Sequence, residues 1–170
     1  MDFKQLAAER YSCRQFTDQK VDDALVEQII ATANLAPTAV NKQPFKIFWM
    51  KSEKAQQDIH AVTRFTFGAQ TFLVVGYKNE EGWVRSFDQH PFAETDASIV
   101  ATHMMLEITN LGLATTWVGY FDEPKLKSMY PEMQDYTLTA IFPIGYAAEE
   151  GGPSPRHEMR KSHEEILVTL

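Results

Sequence analysis

The stretch ETDASIVATHMMLEITNLGLATTWVGYFD, residues 94–122, decides the fold class of this chain. Its apolar residues recur at helical spacing, which predicts a long helix with one face turned towards a core. That face comprises Ile99, Val100, Met104, Ile108 and Leu111. We expect Thr95 to cap the helix and Gly112 to end it, because glycine readily adopts the left-handed conformation that closes a helix. A strand over residues 114–118 should follow.

The rest of the chain alternates helical and extended patterns in the same way. Helices are predicted over residues 3–9, 22–36, 53–62 and 123–129, and strands over residues 45–50, 71–77 and 137–146. Asp2 should cap the first helix, Asp22 or Asp23 should cap the second, and Pro37 should stop it. Because residues 71–77 are almost continuously apolar, that strand should be covered on both faces. The sequence therefore predicts an α+β fold, or α/β sandwich.

Composition and charge narrow the class of protein. At 170 residues, with 44% hydrophobic and 23% charged residues, the chain fits one folded domain spanning residues 1–170. A net charge of −7 argues against long-range attraction to nucleic acid or to an anionic membrane. The pattern of a secretory leader and an apolar run of membrane-spanning length are both missing from the sequence. We therefore expect a cytoplasmic protein.

Cys13 is the single cysteine, which excludes an intramolecular disulfide and any site built from several thiolates. A nucleophilic thiol is one interpretation of Cys13. The favoured interpretation is a small buried residue that faces away from the neighbouring arginines. The histidines show no metal-ligand spacing, and the glycine-rich fingerprints of dinucleotide and nucleotide sites are missing from the sequence. We expect no metal.

The segment ERYSCRQF, residues 9–16, places Arg10, Ser12 and Arg14 at alternate positions. In an extended chain such side chains share one face. Two guanidinium groups and a hydroxyl suit a monophosphate, because the planar fork of arginine donates paired hydrogen bonds. Taken alone, the pattern is more often only a set of solvated residues.

A second basic cluster lies in GGPSPRHEMRKSH, residues 151–163, where Arg156, Arg160 and Lys161 stand out in an acidic protein. One interpretation is a solvated tail. If the tail folds back instead, Arg156 would complete the charge balance of a phosphate dianion that Arg10 and Arg14 begin to enclose.

Two further segments carry features of a ligand site. In APTAVNKQPF, residues 36–45, Thr38, Asn41 and Gln43 offer groups that donate and accept hydrogen bonds, as reading a ring edge or a polyol requires. A polar loop between prolines is the simpler interpretation. Gly119, at the end of a predicted strand, lets the backbone approach a flat ligand closely or simply forms a turn.

Four motifs, in order and spacing, resemble the nitroreductase family of flavin enzymes. They are RYSCRQF, APTAVNKQPF, DASIVATHMMLEITNLGLATTWVGYFD and PIGYAAEEGGPSPR, and together they cover nearly the whole chain. The resemblance implies a central, mostly antiparallel mixed sheet flanked by helices. It also implies an intertwined homodimer with FMN at the subunit interface.

The resemblance further implies which residues bind FMN. In one subunit the phosphate would be held by Arg10, Ser12, Arg14 and Arg156, with Tyr11 as a further cofactor-binding residue. The ribityl chain and isoalloxazine would be lined in the other subunit by Pro37, Thr38, Ala39, Asn41 and Gln43. The main chain of Gly119 and Tyr120 would lie near the reactive N5 edge, with Val118 as a further contact.

The implied activity is a two-step exchange in which NADH or NADPH reduces the flavin at N5 and an electron-poor acceptor then reoxidises it. A nitroaromatic or a quinone is the implied acceptor. No side chain is expected to act as a catalytic acid or base, because the flavin carries the redox chemistry. The alternatives are a flavin store or sensor of the same fold, and a reductive dehalogenase or flavin-degrading variant.

The chain departs from the family pattern in two places. Thr38 and Ala39 stand where family members often carry two serines. A chain of 170 residues also leaves little room for the helical insertion that covers the active site in larger relatives. The segment WVRSFDQHPF, residues 83–92, is either a local substitute for that cover or an ordinary surface loop with one buried tryptophan.

Overall fold

A computed structural model describes residues 2–170. The helices are α1 (Phe3–Glu9), α2 (Asp23–Ala33), α3 (Glu53–Val62), α4 (Ala93–Asn110), α5 (Glu123–Met129) and α6 (His163–Ile166). The strands are β1 (Phe45–Trp49), β2 (Thr71–Tyr77), β3 (Val84–Arg85), β4 (His90–Pro91), β5 (Ala114–Thr115) and β6 (Thr137–Gly145). Asp2 and Asp22 cap α1 and α2 through their carboxylates, which confirms the first predicted cap and decides between the two candidates for the second.

The main sheet has the strand order β1-β2-β6-β5, and every neighbouring pair is antiparallel. The predicted strand over residues 114–118 is shorter than expected. Only Ala114 and Thr115 form β5, and Val118 then pairs with Ile141 through an isolated bridge. A parallel bridge between Ser12 and Thr115 joins the N-terminal segment to this edge of the sheet. The mostly antiparallel sheet is therefore as predicted.

Helices cover both faces of the sheet. On one face α2 and α4 pack together over a core that includes Val26, Ile29, Leu73, Val75, Met104 and Phe142. On the other face α3 and α5 pack over a core that includes Ile59, Phe72, Val74, Leu126, Met133 and Ile141. Strand β2 is buried from Phe72 to Tyr77, because its two sets of side chains enter the two cores. This arrangement confirms the α+β sandwich.

Helix α4 follows the predicted pattern with one correction. Val100, Met104 and Ile108 are fully buried on its inner face, and Gly112 takes a φ of 75° just beyond its end. The prediction that Thr95 caps the helix is wrong. The helix begins at Ala93, with Phe92 in the cap position one residue after β4, so Thr95 already lies inside its first turn.

Strands β3 and β4 form a hairpin in the segment over residues 83–92, which the sequence left undecided. Among residues 2–170, no helix combines the length and the apolarity needed to cross a bilayer. Within the same residues, no cluster of three or more His, Cys, Asp and Glu side chains is arranged to hold a metal ion.

Candidate functional site

A cavity of about 350 Å³ lies between the N-terminal and the C-terminal segments of the chain. It is lined by Arg10, Tyr11, Ser12, Arg14, Ser154, Arg156, His157 and Arg160. The predicted phosphate-binding residues of the N-terminal segment and Arg156 of the C-terminal segment therefore lie around one space. The C-terminal segment therefore folds back over the N-terminal one, while the side chains of Arg156 and Arg160 remain exposed at the cavity.

The N-terminal wall of this cavity is held by the edge of the sheet. The backbone N–H of Cys13 donates to Thr115 O at 3.0 Å, beside the bridge between Ser12 and Thr115. Cys13 and Phe16 point inwards and are buried, whereas Arg14 points outwards and is exposed. The prediction of a buried Cys13 beside an exposed Arg14 is confirmed, whereas the alternation ends at Gln15, which is exposed before the buried Phe16.

The C-terminal segment forms the other wall of the cavity. A second set of backbone contacts holds it against the N-terminal segment. The N–H of Thr17 donates to Tyr146 O at 2.9 Å, and the N–H of Ala148 donates to Gln15 O at 3.0 Å. Gly151 then lies so close to Gln15 that a β-carbon on it would be 2.5 Å from Gln15 O. This close approach requires glycine, and it directs the following residues over the N-terminal segment.

The electrostatics of the cavity fit an anion. Four arginines line it and no lining residue is acidic, although the protein carries a net charge of −7. Among residues 2–170, none of these four arginines forms a salt bridge. Burial, together with the neighbouring Cys13, raises the pKa of Tyr11, so its phenol stays neutral and can donate a hydrogen bond. Guanidinium and hydroxyl donors without a competing carboxylate match a phosphate dianion.

The loop over residues 37–43 lies after α2 and does not line this cavity. Three of its residues have a positive φ, namely Val40 at 46°, Asn41 at 56° and Gln43 at 52°. Such a conformation costs a non-glycine residue on the order of 1–3 kcal/mol. Inside the loop, Thr38 Oγ1 accepts from the Gln43 N–H at 3.1 Å, and Gln43 Nε2 donates to Asn41 O at 3.1 Å. Strained loops of this kind cluster at ligand sites.

The third group of predicted site residues follows β5. Val118 is buried, and both its backbone N–H and its carbonyl are hydrogen-bonded to Ile141 at 3.0 Å, so it offers a ligand no free backbone donor. Gly119 and Tyr120 are exposed, and the Tyr120 carbonyl accepts from Thr63 Oγ1 at 2.7 Å. The nearest atom to a β-carbon built on Gly119 would be Trp117 Nε1 at 3.9 Å. The space beside Gly119 is therefore open to a ligand.

Comparison with known proteins places the chain in a family. The model of the nitroreductase family matches residues 7–64 and 60–146. The chain belongs to the nitroreductase family. The resemblance of the chain to this family is therefore confirmed.

Individual relatives of this nitroreductase family member cover most or all of its length. A nitroreductase family protein of Clostridium difficile is 31% identical, with a TM-score of 0.91 and complete coverage of both chains. A protein of Exiguobacterium sibiricum, solved in complex with FMN, is 19% identical with a TM-score of 0.83, covering 100% of this chain and 98% of that one. An NADH dehydrogenase of Thermus thermophilus is 23% identical over 92% of each chain.

Sequence reasoning missed several residues of this family member's site. Ser154, His157 and Arg160 line the cavity, yet only Arg156 was predicted from that segment. His157 is fixed by the N-terminal helix, since its Nε2 lies 3.0 Å from Ala8 O, and no sequence pattern signals that contact. Asp96 was also passed over as a buried carboxylate, although a signal existed. It lies four residues before Val100 on the apolar face of α4, where a carboxylate is unexpected.

Proposed function

We propose that this protein is an FMN-dependent oxidoreductase that takes reducing equivalents from NADH or NADPH and passes them to an electron-poor acceptor. The observation that carries the proposal is the cavity between the two chain ends, where four arginines without a salt-bridge partner among residues 2–170 surround a space of about 350 Å³. Membership of the nitroreductase family supports FMN as the ligand. The FMN complex of the Exiguobacterium sibiricum protein and the NADH dehydrogenase of Thermus thermophilus support the same conclusion.

In this proposal Arg10, Arg14 and Arg156 bind the FMN phosphate by charge-assisted hydrogen bonds, and Ser12 donates one further bond. Arg160 and Tyr11 lie on the same cavity and balance the remaining charge and donor directions. The bound FMN supplies the redox chemistry at its ring N5. The open space beside Gly119 allows the main chain of residues 118–120 to approach the ring.

We further propose that the functional form is a homodimer with FMN at the subunit interface, and that residues 37–43 come from the second subunit. Within one protomer these residues lie outside the phosphate cavity, which agrees with a site completed by a second copy. The C-terminal segment supports the same view. It exposes three apolar side chains to water, with exposed fractions of 69% for Ile166, 50% for Leu167 and 78% for Val168. Exposure of apolar surface is unfavourable, and burial against a second copy would remove it.

The hairpin of β3 and β4 is proposed as the cover of the flavin ring, in place of a helical insertion. It is tied to the loop over residues 37–43, because Lys42 Nζ donates to Gly82 O at 3.2 Å at the base of the hairpin. Nε and Nη2 of Arg85 donate to the two carboxylate oxygens of Asp88, at 2.8 and 2.6 Å, and so brace the turn. Phe87 at the tip has an exposed fraction of 96%. A braced hairpin that presents an exposed phenyl ring suits contact with a flat acceptor.

The proposal is tested by the colour of the purified protein and its response to nicotinamide. The protein should bind one FMN per chain and lose its visible absorbance within seconds of anaerobic mixing with NADH or NADPH. Reoxidation by a quinone or a nitroaromatic should then restore the absorbance. A yellow protein that is not bleached would be a flavin store or sensor, and a protein that cannot be reconstituted with FMN would contradict every flavin function.

A further inference from the structure

Asp96 is a buried carboxylate that the phosphate cavity does not use. It lies in the first turn of α4, with an exposed fraction of 2%. Its Oδ1 accepts a hydrogen bond at 2.8 Å from the backbone N–H of Ala39. Its Oδ2 is buried and has no hydrogen-bond partner among residues 2–170. Burying a carboxylate oxygen without a partner costs folding free energy, so stabilisation of the fold is a poor account of Asp96.

A favourable interaction with the helix dipole is an equally poor account. A carboxylate in the first turn of a helix is stabilised by the partial positive charge there. Glu94 already lies in the same turn of α4, and it does so at the surface without a desolvation cost. Nothing about the dipole requires a second carboxylate that is almost completely buried.

The loop that Asp96 contacts does need an external anchor. Val40, Asn41 and Gln43 all take left-handed backbone conformations, and for the β-branched Val40 this is a rare state. Such a backbone persists only where the surrounding structure holds it. The hydrogen bonds of Thr38 and Gln43 are internal to the loop and leave its position relative to the core undefined.

The buried contact of Asp96 supplies that position at the start of the turn. Among residues 2–170, the other hydrogen bond of a side chain that joins the loop to the body of the protein runs from Lys42 Nζ to Gly82 O, and Lys42 itself is exposed. A hydrogen bond to a carboxylate is short and strong, and in a buried setting it is shielded from water. Asp96 therefore fixes Ala39 against α4, which is itself packed into the core.

We propose that Asp96 is a positioning residue for the cofactor: by holding the N–H of Ala39, it keeps the loop over residues 37–43 in the conformation that receives the flavin. This inference rests on the proposed function, which assigns that loop to the ribityl chain and ring of FMN. Asp96 acts through the loop and is not a catalytic residue.

The test compares FMN affinity in three variants, measured by quenching of FMN fluorescence on titration with apoprotein. Asp96→Ala should raise the dissociation constant at least about tenfold, because the loop loses its anchor. Asp96→Asn should stay within about threefold of the wild type, because its amide oxygen can accept the same hydrogen bond. Met104→Ala is the matched control, a fully buried position on α4 that should lose stability while keeping its FMN affinity within about twofold.

A fourth variant removes the other half of the contact and keeps the proposal testable if Asp96→Ala fails to fold. Ala39→Pro replaces the donor N–H by a ring Cδ that points at Asp96 Oδ1, so it deletes the hydrogen bond and also pushes the loop away from α4. Thr38, at φ −129° and ψ 157°, already has the conformation that a residue before proline adopts. Ala39→Pro should weaken FMN binding as much as Asp96→Ala, and the double variant should lose no more than either single one.

Either of two results would overturn the inference. One is wild-type FMN affinity in both Asp96→Ala and Ala39→Pro. The other is a control that behaves like the test variant, in which Met104→Ala, at a similar loss of stability, loses as much FMN affinity as Asp96→Ala. A wild-type protein that does not bind FMN, or is not bleached by NADH or NADPH, counts instead against the proposed function. The two failures are therefore distinguishable.

Discussion

Gly151 lies against the backbone of Gln15, where a β-carbon on the glycine would be 2.5 Å from the Gln15 carbonyl oxygen. The contact is between main-chain segments, so no flexible side chain can move aside to relieve it. Arg156 and Arg160 follow in the same segment and reach the cavity that Arg10 and Arg14 line. The shape of the phosphate cavity thus depends on residue 151 having no side chain.

Gly151→Ala should therefore damage both stability and cofactor binding. Forcing a methyl group into this contact should lower the free energy of unfolding by about 1–3 kcal/mol. The displaced segment should also carry Arg156 away and weaken FMN binding. Gly152→Ala is the matched control, because a β-carbon on Gly152 would meet nothing within 4 Å. Urea unfolding and FMN titration of the two variants check this prediction, and equal behaviour of both would contradict it.

Arg14→Ala should weaken FMN binding without unfolding the protein. Arg14 is exposed and forms no salt bridge among residues 2–170, so the fold loses little with it. A charge-assisted hydrogen bond contributes about 1.5–3 kcal/mol, which corresponds to a rise in the dissociation constant of about ten- to a hundredfold. The FMN affinity of Arg14→Lys should lie between those of the wild type and of Arg14→Ala, because lysine keeps the charge and loses the paired donors.

The control for Arg14 is Lys51→Ala, which removes one positive charge from an exposed salt bridge with Asp23 on another part of the surface. Its FMN affinity should remain within about twofold of the wild type, because surface charges at a distance are screened. If Lys51→Ala weakens binding as much as Arg14→Ala, the effect is one of net charge, and Arg14 has no specific contact with the phosphate.

These residues also show how far local pattern could predict the site. The alternation of Arg10, Ser12 and Arg14 is set by the two-residue period of an extended chain, so their shared surface was predictable. The position of Arg160 was not, because it depends on the path that Gly151 imposes far along the chain. The helices and the longer strands were predictable for the same reason, because apolar residues recur with one period in a helix and with another in a strand.

Local sequence patterns failed to predict features that depend on contacts between distant residues or on an atypical helix cap. The hairpin strands β3 and β4 are two residues each, too short to show any alternation. The buried contact between Asp96 and Ala39 joins residues 57 positions apart. The start of α4 was misplaced because Phe92 precedes the helix without a side-chain cap, and Thr95 has the residue type that normally fills that role.

Phe87→Ala should alter the choice of acceptor and leave the cofactor in place. Phe87 is almost fully exposed at the tip of the hairpin, so its removal should cost little stability. If the hairpin covers the flavin ring, the relative kcat/KM for a naphthoquinone and a benzoquinone should change by about fivefold or more. Phe3→Ala, at an exposed phenylalanine on α1, is the matched control and should leave that ratio unchanged. An unchanged ratio in Phe87→Ala as well would make the segment an ordinary surface hairpin.

Tyr130 and Asp58 provide a test of stability that is independent of the flavin. The Tyr130 hydroxyl donates to Asp58 Oδ2 at 2.6 Å, and Lys54 Nζ binds the same oxygen at 2.5 Å. The hydrogen bond from Lys54 and that from Tyr130 hold the pKa of Asp58 below its ordinary value. Burial and the neighbouring carboxylate raise the pKa of Tyr130. The pair links α3 to the residue that follows α5.

Tyr130→Phe should lower the free energy of unfolding at pH 7 by about 1–2 kcal/mol, because a hydrogen bond to a charged group is lost. A carboxyl group whose pKa is depressed in the folded state contributes stability above its unfolded pKa and loses it as the pH falls through the folded value. The difference between wild type and variant should therefore shrink below about pH 4. Urea unfolding at pH 7 and pH 3 measures it. Tyr136→Phe is the control, since the Tyr136 hydroxyl has no hydrogen-bond partner among the side chains and backbone of residues 2–170. A pH-independent difference would mean that the Tyr130 hydroxyl stabilises the fold without depending on the ionised Asp58.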